Sequence, residues 1–175
     1  MTNYFESRIA KLQKLLKKLD LDGLVVYQGA NTKYLTGFDG GTGDGVVVVG
    51  PDRARLITDA RYEEDYKDRL PEGVDFMVTR AYYEAAAQTA VEFGIKRLGF
   101  EASMPYAVYD VMDELLPADI SFDAVPEAIE ALREVKDEAE LAALRRAADA
   151  SIKAFNDLMT FIKPGMTERQ VANEL

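Results

Sequence analysis

Chemistry in this chain has to come from carboxylates, lysines, arginines, tyrosines and hydroxyls, because its 175 residues include no cysteine, no histidine and no tryptophan. Without imidazole or thiol there is no Ser-His-Asp triad, no thiolate nucleophile and no zinc knuckle. Ser7, Ser103, Ser121 and Ser151 lack both an activating partner and a G-x-S-x-G context. The densest candidate is the segment Asp39, Gly40, Gly41, Thr42, Gly43, Asp44, Gly45. It has no Lys-Ser/Thr of a phosphate-cradling loop, does not match G-x-G-x-x-G and precedes a strand where those motifs open a helix. Asp39 is not followed by acids at EF-hand spacing. What the segment offers is a flexible connection or a gate that brings Asp39 or Asp44 near a ligand. The clusters Glu63-Glu64-Asp65 and Asp137-Glu138-Glu140 read as charge complements to helix starts rather than as cation sites.

Lys plus Arg is 21 against 31 Asp plus Glu, a formal net charge of −10. An acidic chain repels phosphate backbones and anionic membranes, so a nucleic-acid face is not expected. Lys11, Lys14, Lys17 and Lys18 read as the solvated side of an amphipathic helix. No apolar run approaches the roughly 18 residues of a membrane span, and the N-terminus lacks a signal-peptide pattern, so a cytoplasmic location without membrane partners is expected.

The elements that must position these groups follow from apolar spacing. Phe5, Ile9, Leu12, Leu16 and Leu19 mark a first helix. Residues 23–27, 46–49, 54–58, 75–79, 97–100 and 120–124 read as strands, with Gly50-Pro51-Asp52 as a hairpin turn between the second and third. Helices are expected over residues 82–93 and 105–115. Asn31 is placed to cap a short helix that Gly37 ends, and Asp59 to cap another. Tyr82, Tyr83 and Tyr106 read as half-buried packing residues. Strands alternating with helices predict a layered α/β/α domain with a mixed central sheet over residues 1–125. Residues 126–175 read as a long linker helix from Glu127 to about Ile162, with Lys136 and Glu140 as an i,i+4 pair. Its stripe is Leu141, Leu144, Ala148, Ile152, Phe155, Met159 and Ile162. After the Pro164-Gly165 stop, Thr167-Glu-Arg-Gln170 looks like a capping box. A helix opening there predicts a polypeptide cut near the start of a second domain.

Five segments, in order, resemble the N-terminal domain of the creatinase/prolidase/aminopeptidase P family. They are Asn31-Thr-Lys-Tyr34-Leu-Thr-Gly37-Phe38, Asp59-Ala-Arg61-Tyr62, Leu98-Gly-Phe-Glu101, the set Arg133, Lys136, Glu140, Leu144 and Arg145, and Lys163-Pro-Gly-Met-Thr-Glu168. The resemblance implies a longer parent, a Xaa-Pro peptidase. Its separate pita-bread domain would hold two divalent metal ions (Mn, Co or Zn) through two Asp, one His and two Glu, and would act on proline-containing peptides. This portion is then expected to be non-catalytic, with no metal or other cofactor of its own. It would support a homodimer and, through residues 39–45, screen substrate, the loop acids attracting a peptide's amino terminus. Asn31, Tyr34, Gly37, Phe38, Asp59, Arg61, Tyr62 and Glu101 are expected to be mainly structural, with Arg61 paired to an acid such as Glu101. Prolidase, aminopeptidase P, a creatine amidinohydrolase and a pseudo-peptidase interaction module all share this pattern.

Overall fold

In the computed structural model residues 4–174 are described. They divide into two compact units that part after Val135.

The first unit is built on a six-stranded sheet. Its strands are β1 (Gly23–Val26), β2 (Gly45–Val49), β3 (Ala54–Thr58), β4 (Val74–Val78), β5 (Arg97–Glu101) and β6 (Ser121–Val125). Their spatial order is β4-β3-β2-β1-β5-β6. Only β2 runs against its neighbours: β1/β2 and β2/β3 are antiparallel, whereas β3/β4, β1/β5 and β5/β6 are parallel. The sheet is therefore mixed, and the hairpin at Gly50-Pro51-Asp52 forms.

Helices cover both faces, α1 (Tyr4–Lys18), α2 (Gly29–Thr36) and α6 (Ala128–Glu134) on one, α4 (Tyr82–Glu92) and α5 (Tyr106–Leu115) on the other. The short α3 (Glu63–Tyr66) follows β3. Two-sided cover explains the unbroken apolar run in β2. Val46 and Val48 pack under α4, while Val47 and Val49 join Leu12, Leu16 and Leu35 beneath α1 and α2. Burying each such side chain contributes about 1.5–3 kcal/mol, which leaves the sheet as a rigid platform for its rim. The stripe on α1 holds for Ile9, Leu12 and Leu16, which are buried, whereas Leu19 lies past the helix end and is exposed.

Several expectations need correction. Asn31 lies inside α2, which starts earlier at Gly29, so it caps nothing; its side chain points into the protein. Asp59 is not a helix cap either, since α3 begins after Tyr62 without a side-chain cap bond. Tyr106 is 74% exposed rather than half-buried. The stretch from Glu127 to Ile162 is not one helix: α6 ends at Glu134 and α7 (Glu138–Phe161) starts anew. Consequently Lys136 precedes α7, and Glu140 accepts from the Asp137 N–H in a capping box. α6 belongs to the first unit because Ala128 and Ile129 are buried beside α1 and α2. The division thus lies after Val135, where the change in composition had suggested residue 126.

The second unit holds α7 and α8 (Glu168–Ala172), the latter opened by the expected Thr167/Gln170 capping box. Leu144, Ile152, Phe155, Met159 and Ile162 are exposed along α7.

Candidate functional site

The C-terminal ends of β1, β3, β4, β5 and β6 and the start of β2 share one edge of the sheet, the edge at which open α/β sheets place ligands. The expected site residues gather there in two clusters.

The first is centred on Glu101, the last residue of β5 and 4% exposed. Its Oε2 accepts the Tyr27 and Gln28 N–H groups at 2.6 and 2.7 Å, where β1 gives way to α2. Its Oε1 accepts Asn31 Nδ2 at 2.6 Å. The same amide nitrogen donates to Glu130 Oε1 at 2.6 Å, and Asn31 Oδ1 accepts from Arg133 Nη1 at 2.9 Å. One buried amide thus joins β5, α2 and α6, its nitrogen donating twice and its oxygen accepting once. Burial pushes the Glu101 carboxyl up, against the donors from Asn31, Gln28 and Tyr27, and the nearby Glu130 charge adds to the rise. Tyr34, buried, donates from its hydroxyl to Leu132 O at 3.2 Å and lies under the Arg8 guanidinium at 4.4 Å.

The second cluster holds the glycine-rich loop. Gly37 ends α2 in the left-handed conformation, φ 79°, as expected. Phe38 then dives into the core edge-on to Tyr62 and Tyr66, at 4.9 and 5.1 Å between centroids. Residues 39–44 return as a strap across the start of α2. Asp39 pairs with Lys33 at 2.7 Å and its N–H donates to Tyr66 Oη at 3.0 Å. Thr42 Oγ1 accepts the Gly29 N–H at 2.9 Å and donates to Gln28 Oε1 at 3.4 Å. Gly29 is required here, since a Cβ on it would stand 2.8 Å from Thr42 N and 3.0 Å from Gly41 C. Gly40 is buried, and Gly41 donates its N–H to Asp44 Oδ2 at 2.9 Å; Gly43 turns the chain at φ 94°. The Thr58 hydroxyl donates to Asp44 O at 2.6 Å, closing the strap onto β3.

Arg61 fastens the whole. Its Nε and Nη2 make a two-pronged pair with Asp59 at 2.9 and 2.7 Å, and Nη2 also reaches Asp44 Oδ1 at 2.9 Å. Asp59 accepts as well from the Arg61 N–H at 2.9 Å and from Tyr82 Oη at 2.6 Å. The Arg61 guanidinium, then the Tyr82 hydroxyl, hold the Asp59 carboxyl far below the usual range. The same guanidinium, then the Gly41 N–H, lowers Asp44, and the two aspartates raise Arg61 in return. Arg61 therefore pairs with Asp59 and Asp44, not with Glu101.

Sequence reasoning missed Tyr82, Gln28, Lys33 and Glu130. Tyr82 follows β4 and meets Asp59 only because β3 and β4 pair in register, with Thr58 opposite Val78; no local pattern announces that. Lys33 and Glu130 sit on helices within reach of motif residues, a signal legible only once those helices are placed.

The chain matches the Creatinase/Prolidase N-terminal domain family over residues 8–135. It belongs to that family. The match ends at Val135, where the first compact unit also ends. Across 169 residues the chain is 37% identical to "Uncharacterized peptidase YqhT" of Bacillus subtilis, covering 96% of this chain and 47% of that protein. A solved Xaa-Pro dipeptidase from Bacillus anthracis superposes with a TM-score of 0.86 at 29% identity, over 97% of this chain and 47% of the other. The N-terminal domain of cytoplasmic peptidase PepQ from Mycobacterium tuberculosis H37Rv superposes with a TM-score of 0.66 at 27% identity, covering 72% of this chain and 98% of that domain. The chain thus spans about half the length of the curated relatives it matches. The layered creatinase/prolidase N-terminal fold, followed by the long helix α7, is the fold of this chain. Among the described residues no helix is long and apolar enough to cross a membrane.

The paired divalent ions that the resemblance implies do not fit the residues present. The sequence supplies no imidazole or thiolate, and among the described residues no three acids converge as a metal site requires.

Proposed function

We propose that this chain is the non-catalytic N-terminal domain of a cytoplasmic, proline-specific dimetal peptidase, a Xaa-Pro dipeptidase or aminopeptidase. In this reading it contributes to a homodimer and screens substrate with the strap Asp39–Asp44. The observation that supports it is the pattern of coverage: nearly all of this chain, 97%, aligns with 47% of a Xaa-Pro dipeptidase. The remainder of such a protein is where metal chemistry would reside. The strap suits a screening part because it lies on the sheet's ligand-binding edge and carries carboxylates on a glycine-rich path.

The test compares two polypeptides on a Xaa-Pro dipeptide, this chain alone and the full-length parent. The parent is expected to hydrolyse the dipeptide and to stop when chelated, while this chain alone is inert. Shortening the strap in the parent should raise KM for dipeptides more than it alters kcat. Turnover of creatine by the parent would assign the amidinohydrolase branch, and no turnover of either substrate would leave an interaction module. Hydrolysis by the isolated chain would overturn the reading outright.

A further inference from the structure

The acids of the strap are not the groups most available to a ligand. Asp39 is engaged by Lys33 and Asp44 by Arg61. The unspent valence belongs to the arginine. Asp59, its side chain only 7% exposed, holds Nε and Nη2, which fixes the guanidinium plane. The Arg61 side chain is nonetheless 60% exposed, and among the described residues its Nη1 takes no hydrogen bond or ion pair. A second cation lies on the next strand end. Arg80 is exposed and has no partner among the described residues; it follows Thr79, whose N–H donates to Thr58 O at 2.8 Å. Two available guanidinium groups on adjoining strand ends stand out in a chain of net charge −10.

We infer that Arg61 is a binding residue for a carboxylate, and that the incoming carboxylate competes with Asp44 so that binding unfastens the strap. The two acids on Arg61 are unequal. Asp59 is buried and held by four donor contacts, including Tyr82, so it stays. Asp44 contributes one bond to Nη2 and is 31% exposed. A carboxylate lying across Nη1 and Nη2 gains two parallel hydrogen bonds where Asp44 makes one. Exchange therefore costs a single half-exposed pair, an interaction of the kind worth little in water. Once Asp44 leaves Arg61, the strap loses its side-chain clasp and is held by the Thr58 hydroxyl on Asp44 O, the Asp39 N–H on Tyr66 Oη, the Gly41–Asp44 turn, the Thr42 contacts and the Lys33–Asp39 pair. The inference rests on the strap as the substrate-screening element and gives that element a trigger. The free carboxylate of a peptide ending in proline is the matching ligand.

The test is a titration of this chain, amide signals and the Arg61 Nε signal being followed by NMR. Four additions at equal ionic strength serve as probes: acetate, Gly-Pro, Gly-Pro amide and chloride. Acetate and Gly-Pro should give saturable shifts at Arg61 and at residues 41–44. Gly-Pro amide and chloride should not. Arg61→Gln should abolish the response, with circular dichroism confirming its fold. Asp44→Asn keeps Arg61 and removes the competitor, so it should tighten carboxylate binding by about two- to fivefold. Equal shifts with Gly-Pro and its amide, a response confined to the Lys11–Lys18 face, or weaker binding in Asp44→Asn would each overturn the inference. None of these outcomes bears on whether strap shortening changes KM in the parent, so the two readings fail separately.

Discussion

Glu101 and Asp59 are carboxylates on the same sheet edge, both at strand ends and both nearly buried, yet they are driven in opposite directions. Glu101 is met by neutral donors, two backbone N–H groups and an amide, and burial outweighs them. Asp59 is met by a guanidinium and a phenol, and the charge partner outweighs burial. At Glu101 the neutral donors do not offset burial, whereas at Asp59 the guanidinium, helped by the phenol, does. The Glu101 cluster is accordingly a knot among three elements, with Glu101 and Asn31 buried at its centre. The Asp59 cluster is a clasp whose outer half, Arg61 and Asp44, stays accessible.

The sharpest way to break the contrast is Asn31→Asp, nearly isosteric but placing a carboxylate between Glu101 and Glu130. It should destabilise the first unit by about 3 kcal/mol or more, read by urea unfolding, because a buried charge then faces two acids. Gly29→Ala is expected to come next, costing about 1–3 kcal/mol as the new Cβ meets the strap backbone. Its signature is faster amide exchange at residues 40–43 with Glu101 contacts intact. Asp59→Asn should have a smaller effect on unfolding but a clear one on the strap, whose exchange rises as Arg61 loses its fixed orientation.

The pH dependence sharpens the comparison further. Asp59 and Asp44 lie below their ordinary 3.8, so the stability they add is full above that value and is lost as the pH falls from there through their lowered folded values. Glu101 lies above its ordinary 4.5, so its contribution is full below 4.5 and is lost as the pH rises through its raised folded value. Unfolding midpoints across the acid range should show Asp59→Asn losing part of the decline below 3.8. Glu101→Gln should instead lose the downward trend above 4.5. A shared profile for the two variants would mean that the clusters are electrostatically one.

Much of this frame is legible in the sequence because local physics decides it. Apolar runs with two-sided cover announced β1, β2 and β5, and Gly50-Pro51-Asp52 announced the hairpin that makes the sheet mixed. Gly37 declared its left-handed stop. Capping was less reliable. Asn31 has a good cap residue's chemistry, but helix α2 had already begun at Gly29, and the amide was spent on Glu101, 70 residues away. The break before α7 has a readable sign, Asp137 three residues ahead of Glu140, which outweighs the i,i+4 spacing of Lys136 and Glu140. The partners of Arg61 were hidden for a different reason: one is a short-range neighbour that looked like a cap, and the other lies across a loop whose path only the folded sheet defines.

The lone reversed strand has a consequence for how such a domain diversifies. Because β2 opposes β1, the polypeptide departs and re-enters at one margin of the platform, without having to cross to the far margin between them. Insertions in the strap between α2 and β2 need not re-thread any neighbour, and each doubling of a flexible span adds only about 0.6 kcal/mol of closure entropy. That margin is open to revision by indels while the platform beneath keeps its register.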